Sequence, residues 1–519
     1  MRKTSSVLLV CFVASLGIGG SACTTVAEGD SARVDASLAR IQHIVVIYGE
    51  NRSFDNLYGG FPGASGLADA TAASTTQLDL DGTPLAKLPP VWLGGKPPLA
   101  ADPRFGAGIP NGPFAIDGDP AHLPLSVPTP DLVHRYYENI AQIDGGRNDR
   151  FVAYSDAGAL TMGHYDGSKL PMWQLAREFT LADHFFMGAF GGSFMNHIWF
   201  ACACVAPFPH APERLKSVLD EQGMLKRKSD AAHPQTSVLQ GPVQWERDGA
   251  VTPDGFAVNT MQSSYEPSGI APAPGGDPRL SDPAGTPLPP VDLPTLGDRL
   301  NERGVRWAWY SGGWNQAVAD SAGPSSPGSG RGVIYTNRPN SVDFQPHHQP
   351  YNYFRNYAPG SEMRREHLRD GEQFLADIVN DGLPQVAFYK PDGDNNEHSG
   401  YTDVASGDAH IAAIVDAIRH SPAWSSTLII VTYDENGGYW DHVAPPSGPG
   451  WSDRWGPGTR IPAILISPFV RKGYVDHTVY DTTSIHALIN RRFGLRPLPG
   501  LRPRMGDLTG AIDPASVSN

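Results

Sequence analysis

Charge is scarce in this chain, and positive charge scarcest of all. Only 18% of its 519 residues are charged, Lys and Arg number 40 against 54 Asp and Glu, and the net charge is −14. No basic run is longer than the tripeptide Lys226-Arg227-Lys228, and the net charge argues against nucleic acid as a partner. Cysteine is nearly absent, with four in all. Two of them, Cys11 and Cys23, fall in the N-terminal segment. The other two stand in the apolar run Ile198-Trp199-Phe200-Ala201-Cys202-Ala203-Cys204 and read as small buried thiols, so no disulfide framework is expected. Long apolar runs are missing too. The longest, Val7 to Leu16, is too short to span a bilayer permanently, so the body of the protein is expected to be soluble or tethered outside the cytoplasm.

What is plentiful is Gly (57) and Pro (48), which implies much surface loop. A hydrophobic fraction of 40% is that of a globular chain, long enough for one large α/β domain with insertions or for two domains. Arg2-Lys3 ahead of the short apolar stretch, followed by small residues, predicts a signal peptide over 1–22. The sequence Gly20-Ser21-Ala22-Cys23 resembles a bacterial lipoprotein cleavage site, with Cys23 receiving the lipid, although Gly20 stands where that pattern prefers Leu. The expectation is an exported protein, periplasmic or anchored to the outer membrane as a lipoprotein, alternatively secreted. Membrane contact would then be made only through that anchor.

The most informative residues follow an apolar run. Ile44-Val45-Val46-Ile47-Tyr48 has no polar alternation, the pattern of a strand buried on both faces, and it delivers Gly49 and then Glu50-Asn51-Arg52-Ser53-Phe54-Asp55-Asn56. Far downstream, Leu428-Ile429-Ile430-Val431-Thr432-Tyr433 is a second such run and delivers Asp434-Glu435-Asn436-Gly437-Gly438. Open α/β sheets bind ligands beyond the carboxyl ends of their strands. Two strands that each end in acid and amide would gather Glu50, Asn51, Asp434 and Glu435 at one sheet edge. Three carboxylates converging there repel unless a cation sits among them. An oxygen set of this kind suits one divalent ion, Mg²⁺, Mn²⁺ or Ca²⁺, and Zn²⁺ also accepts carboxylates. The other reading, separate loop salt bridges, stays open at this point.

Between these motifs lie Gly/Pro-rich insertions near 59–130 and 205–292. Asp131 to Phe151 reads as a helix with His134 near its start, and Gly188 to Cys204 as a turn and helix. The second half alternates strands and helices. A strand is expected over Val305–Tyr310, a helix capped by Asp370 and Gln373, a strand over Val386–Tyr389 with Glu397-His398 in its exit loop, a helix opened by Asp408, a strand over Ile461–Ser467 and a last helix over Ser484–Phe493. That alternation predicts a mostly parallel sheet with helices on both faces.

Gly191-Gly192-Ser193-Phe194-Met195-Asn196-His197 offers a nucleophile, since two glycines before a Ser at a helix start leave backbone amides open to an anion. An ordinary Ser N-cap is the alternative. Histidines are numerous at 17, so most are structural. His347-His348 in a Pro-bounded loop and His398 after a strand are the better placed, and His134, His164, His197 and His442 also sit among polar residues.

The stretches IVVIYGENRSFDNLYG, HRYYENIAQIDGGRNDRF, GGSFMNH, PHHQPYNYF, EHSGYTDVASGDAHIAAIVDAI and VTYDENGGYWDHVAPP, with the tail to RRFGL, run in order over about residues 41–497. In these the chain resembles the bacterial phosphoesterase family that holds phospholipases C and acid phosphatases, a branch of the alkaline phosphatase superfamily. The resemblance implies an alkaline-phosphatase-like α/β fold and a catalytic domain over 40–498. It implies one metal ion held by Glu50, Asn51, Asp434, Glu435 and the Ser193 oxygen. It further implies that Ser193 attacks phosphorus, with His134, His348 and His398 around the phosphoryl group and His347 a weaker, substrate-binding candidate. Asp441-His442 matches the motif without an assigned role. Ser at the nucleophile position and Tyr48-Gly49 before the Glu-Asn pair are more similar to the acid phosphatase branch, whose substrates are small phosphate monoesters, than to the phospholipases C. A phospholipase C or phosphodiesterase on the same centre is the alternative.

Overall fold

The structure is a computed structural model that describes residues 31–94, 99–229, 235–322, 331–335 and 342–518. The expected signal peptide over 1–22 and Cys23 lie outside the described residues. Among those described, no helix is long and apolar enough to cross a membrane.

Eight strands form the central sheet: β1 (His43–Gly49), β2 (Thr180–Ala182), β3 (Trp307–Ser311), β4 (Leu368–Asp370), β5 (Val386–Lys390), β6 (Thr427–Tyr433), β7 (Ala463–Ile466) and β8 (Tyr474–Asp476). Their order across the sheet is β8-β2-β7-β6-β1-β5-β3-β4. Neighbours are parallel except β7, which runs antiparallel to both β6 and β2. Apart from the partly buried His43, the central strands β1 and β6 are buried throughout, as the unbroken Val/Ile runs predict. Ile47 pairs with Val431 and Gly49 with Tyr433, so β1 and β6 finish in step and release Glu50 and Asp434 side by side.

Helices cover both faces. On one, Phe200 of helix α1 (Ser193–Cys202) packs on Tyr48, Trp309 and Phe388 and against His486 of helix α2 (Thr482–Phe493). On the other, Pro171–Glu178 and Gly371–Val379 pack on the long helix Val404–Arg419, whose Ile411 lies close to the backbone of Gly49. Each such buried aromatic contributes on the order of 2–3 kcal/mol. Residues beyond 498 belong to the same body: Ile512 is buried, and the Asp513 amide donates to the Phe469 carbonyl at 2.8 Å.

Three local expectations are corrected. The stretch Asp131–Phe151 is helical only over Tyr136–Ile143, because Asp144 turns left-handed (φ 48°) and Gly145-Gly146 follow. His134 therefore sits in extended chain ahead of the helix. Asp408 does not open its helix. Asp403 caps it, accepting from the Ser406 amide, while Asp408 lies buried inside and accepts from the Met172 amide at 3.0 Å. Cys202 and Cys204 are not free thiols but a disulfide. Helix α1 ends at Cys202, and left-handed Ala203 (φ 45°) swings Cys204 off the helical grid and back toward its neighbour.

The two Gly/Pro-rich insertions are built from turns and very short strands. Phe114–Ala115 of the first pairs with Gly163–His164 beyond it, and Ala206–Pro207 with Phe256–Ala257 within the second.

Candidate active site

Ser193 is the first residue of α1, and Gly192 is its N-cap without a side-chain bond, so Ser193 does not serve as the cap. The glycines have a steric reason to be there. A Cβ on Gly192 would stand 2.4 Å from the His134 carbonyl oxygen, so glycine lets the His134 strand run against the start of the helix. The freed hydroxyl turns to the sheet edge. Ser193 Oγ lies 3.2 Å from Asn51 Oδ1 and 3.4 Å from Glu435 Oε1. Three oxygens are thus gathered around a single hydroxyl hydrogen, which can satisfy only one of the two contacts.

Asn51 holds its place through a left-handed backbone (φ 65°), a conformation Asn tolerates better than most residues, with its amide donating to Asp434 Oδ1 at 3.2 Å. Gly437 completes this corner. Its φ is 61°, its amide donates to Glu435 Oε2 at 2.5 Å, and a Cβ there would meet the Asn51 carbonyl at 2.3 Å. Asp434 Oδ2 is buried and has no hydrogen-bond partner. Burial pushes the Asp434 carboxyl up to about 7, with Lys390 opposing and Glu50 adding to the rise. Burial and then Asp434 push Glu435 well above the ordinary carboxylate range. A buried cup of oxygens with too few hydrogens and too much negative charge fits a bound cation. Asn51, Ser193, Asp434 and Glu435 could hold it directly.

Glu50 stands beside them with different company. Its Oε1 meets His348 Nε2 and, at 3.1 Å, Lys390 Nζ. Its Oε2 accepts from Asn396 Nδ2 at 2.7 Å and from the Tyr401 hydroxyl at 3.0 Å. Burial raises the Glu50 carboxyl, but His348 and then Lys390 outweigh it and hold it well below its usual value.

The histidines divide into two groups. His134, His347 and His398 line a cavity of about 280 Å³ that opens onto Ser193, together with Asp131, Arg135, Asp156, Asn259 and Gln345. His134 Nδ1 faces the Leu132 carbonyl at 2.5 Å and His398 Nδ1 faces that of Ser399, so both rings carry hydrogen on Nδ1. His134 Nε2 then points toward Asn51 Nδ2 at 3.5 Å and Glu435 Oε1 at 3.9 Å. Its ring centre is 5.5 Å from that of His398. Burial lowers His134, His347, His348 and His398 below the ordinary histidine value. His348 is not on the cavity wall. It lies behind, on Glu50, and stacks on His197, whose Nδ1 donates to the Ser193 carbonyl at 2.8 Å. Of the adjacent pair, His347 faces the cavity.

His164 lies away from this centre, in a short strand paired with Phe114–Ala115 of the first insertion. Asp441 and His442 form a neighbouring cluster with Asp55 and Arg460. Lys390, Asn396, Tyr401 and Arg460 were not singled out from the sequence. Lys390 ends β5 at the same sheet edge where β1 and β6 release Glu50 and Asp434, so the strand-end rule applied to them would have found it.

The chain matches the model of the Phosphoesterase family over residues 41–496. It is similar to Phospholipase C A of Mycobacterium tuberculosis (strain ATCC 25618 / H37Rv), 24% identical over 514 residues, covering 93% of this chain and 79% of that protein. It is also similar to the Non-hemolytic phospholipase C of Burkholderia pseudomallei, 25% identical over 522 residues, covering 93% and 60%. Among solved structures it is similar to a protein in the alkaline phosphatase superfamily from Vibrio parahaemolyticus (10% identity, 76% of this chain and 75% of that one, TM-score 0.31). Another is the PsFucS1 sulfatase from Pseudoalteromonas sp. (12% identity, 93% and 75%, TM-score 0.34). With the family matched over nearly all of the folded chain, the protein belongs to the phosphoesterase family and is a phosphoric ester hydrolase.

Proposed function

We propose that this chain is an acid phosphatase that hydrolyses small phosphate monoesters through Ser193. The observation that carries this reading is the shape and lining of the Ser193 cavity, about 280 Å³ and walled by Asp131, His134, Asp156, Gln345, His347 and His398. A phosphoryl group and a small leaving group suit such a space. Asn51, Ser193, Asp434 and Glu435, with Glu50 beside them, would hold one divalent ion, for which the oxygen donors suit Mg²⁺, Mn²⁺ or Ca²⁺ and accept Zn²⁺. When bound, it supplies positive charge that favours the Ser193 alkoxide and offsets charge on the phosphoryl oxygens.

Ser193 Oγ attacks phosphorus, passing its proton to an acceptor of the cup, of which Glu435 Oε1 at 3.4 Å is placed to take it. The ester oxygen leaves from the opposite side as its bond to phosphorus breaks. It takes a proton from the Nε2 of a cavity histidine, His398 first and His134 beside it. Water then attacks phosphorus and gives a proton to the histidine, while the bond to Ser193 Oγ breaks and Ser193 takes its proton back from Glu435. His347 stands on the wall to bind the phosphoryl oxygens, and His348 acts through Glu50. Because burial lowers these imidazoles, the protonated form that donates gains population only below the ordinary histidine pKa of about 6.5, which is the physical basis for an acidic optimum.

Export is part of the reading, supported by the N-terminal pattern and by the Cys202–Cys204 disulfide, since disulfides persist in oxidising compartments. A lipid on Cys23 would make the only membrane contact.

A phospholipase C is the second reading. Its support is the naming of the curated relatives and an apolar cavity of about 710 Å³ in the second insertion, with Phe208, Tyr265, Leu280 and several prolines in its wall. That cavity shares no lining residue with the one at Ser193. Steady-state turnover on an aryl phosphomonoester and on dispersed phosphatidylcholine, between about pH 4.5 and 8, decides between them. Fast monoester cleavage at acid pH with little lipid cleavage is expected. A clear preference for lipid would replace the acid phosphatase assignment with the phospholipase C.

A further inference from the structure

Lys390 is the last residue of β5 and is fully buried. Its stem passes the Tyr48 ring, with Nζ 5.8 Å from the ring centre, and its ammonium donates to the Gly49 carbonyl at 3.3 Å and pairs with Glu50 Oε1 at 3.1 Å. Around the same Glu50 oxygen stand two imidazoles. Glu50, His197 and His348 each offer a ligand atom, all within 4.8 Å of one another; Glu50 Oε1 meets His348 Nε2, and His197 Nε2 is buried without a hydrogen-bond partner. One carboxylate and two imidazole nitrogens make a donor set that zinc or manganese accepts. The ammonium lies against it.

Charge decides what that nook holds. Glu50, Asp434 and Glu435 are three fully buried carboxylates in contact with one another's surroundings. Among the described residues, the ion pairs that reach them come from Lys390 and from His134, His197 and His348. An imidazole can be neutral, so the ammonium is the one fixed cation. Three negative charges less one leave two, which a single divalent ion neutralises. A second divalent ion would leave the buried centre with net positive charge, which the interior disfavours as strongly as the negative excess.

We propose that Lys390 is a built-in cation that occupies the place of a second metal ion beside Glu50 and thereby fixes the centre at one. The inference rests on the one-ion phosphoesterase reading above. Lys390 is a positioning residue in this account: it holds Glu50 against β5 and sets the charge that the bound ion meets.

The test loads purified, chelator-stripped chain with Mn²⁺ and reads ion count by metal analysis and ion spacing by electron paramagnetic resonance, in the unaltered chain and in Lys390→Met. Folding of both is checked by circular dichroism. The unaltered chain is expected to show a lone, uncoupled Mn²⁺ in the centre, and Lys390→Met a spin-coupled pair. Coupling separates a neighbouring ion from a stray one on another cluster such as Asp183-His184-His477. A coupled pair in the unaltered chain, or a lone ion in folded Lys390→Met, overturns the inference. If Lys390→Met does not fold, Lys390→Gln, which also removes the charge, carries the same comparison. Failure of the underlying reading looks different, because Glu435→Gln would then leave Mn²⁺ uptake unchanged.

Discussion

Two clusters of buried charge lie next to each other in this fold, and they are finished in opposite ways. In the first, Asp55 and Asp441 meet Arg460 and His442. Asp55 Oδ1 accepts from Arg460 at 3.0 Å, and its Oδ2 from the His442 amide at 2.7 Å and ring at 2.6 Å. Asp441 Oδ1 accepts from Arg460 Nε at 3.0 Å and the Val443 amide at 2.9 Å, and its Oδ2 from the Asp55 amide at 3.0 Å. Every carboxylate oxygen has a donor. In the second, Asp434 Oδ2 has no hydrogen-bond donor, and Ser193, Asn51 and Glu435 share one hydroxyl hydrogen. Satisfied within itself, the first cluster staples the loop after β1 to the loop after β6. The second is complete only with something added, and unfinished buried polarity of that kind is what distinguishes a site from a brace.

The contrast can be broken at several points. Ser193→Ala removes the nucleophile and one oxygen of the cup, and kcat on a phosphomonoester is expected to fall by at least about 10⁴-fold, the scale seen when a covalent nucleophile is lost. Retention of most of the turnover would remove Ser193 from the chemistry. Arg460→Met strikes the finished cluster instead. It leaves two carboxylates buried without their guanidinium and is expected to cost about 3–5 kcal/mol of stability in a denaturant titration. Glu435→Gln should do the reverse in chelator-stripped protein. By relieving repulsion in the unfinished cup it should leave stability unchanged or raise it by about 1 kcal/mol, while divalent ion retention measured by metal analysis falls. If both substitutions destabilise alike, the two clusters are not different in kind.

The smallest effect is a pH dependence. Burial opposes charge on His442, but the hydrogen bond and charge of Asp55 win and raise its pKa above the ordinary value. Its stabilisation is therefore fully present below pH ~6.5 and is lost as pH rises through the higher folded value. Asp55 is shifted the other way: burial opposes, and Arg460 and His442 lower it, so its share is lost only as pH falls through that lowered value. His442→Gln is thus expected to lower stability by about 1 kcal/mol near pH 6 and by progressively less toward pH 9. A gap that widens with pH would reverse the assignment.

Much of the centre was legible from strand ends. Buried runs with no polar alternation, followed at once by acid and amide, placed Glu50, Asn51, Asp434 and Glu435 correctly at one edge, because parallel neighbours finish in step. Ser193 was legible as a group on a glycine-led helix start, although the steric reason for Gly192 lay in the His134 strand, far away in sequence. What escaped depended on sheet order or on a single backbone angle. Lys390 reaches Glu50 only because β5 lies next to β1. Asn396 and Tyr401 reach it from the loop beyond β5. Arg460 joins two motifs from just before β7. The left-handed turns at Asp144 and Ala203 cut one helix short and closed one disulfide; Asp144-Gly145-Gly146 carries a turn signal that the helical reading passed over, whereas Ala203 announces nothing.

The central claim is that Ser193 becomes phosphorylated. Rapid quench of the purified chain into neutral denaturant during turnover of a phosphomonoester, followed by peptide mass analysis at neutral pH, where both phosphoserine and phosphohistidine survive, tests it directly. Phosphate on Ser193, absent in Ser193→Ala, is the predicted result. Phosphate trapped on a histidine such as His398, or none on the chain at any quench time while turnover proceeds, would contradict the account.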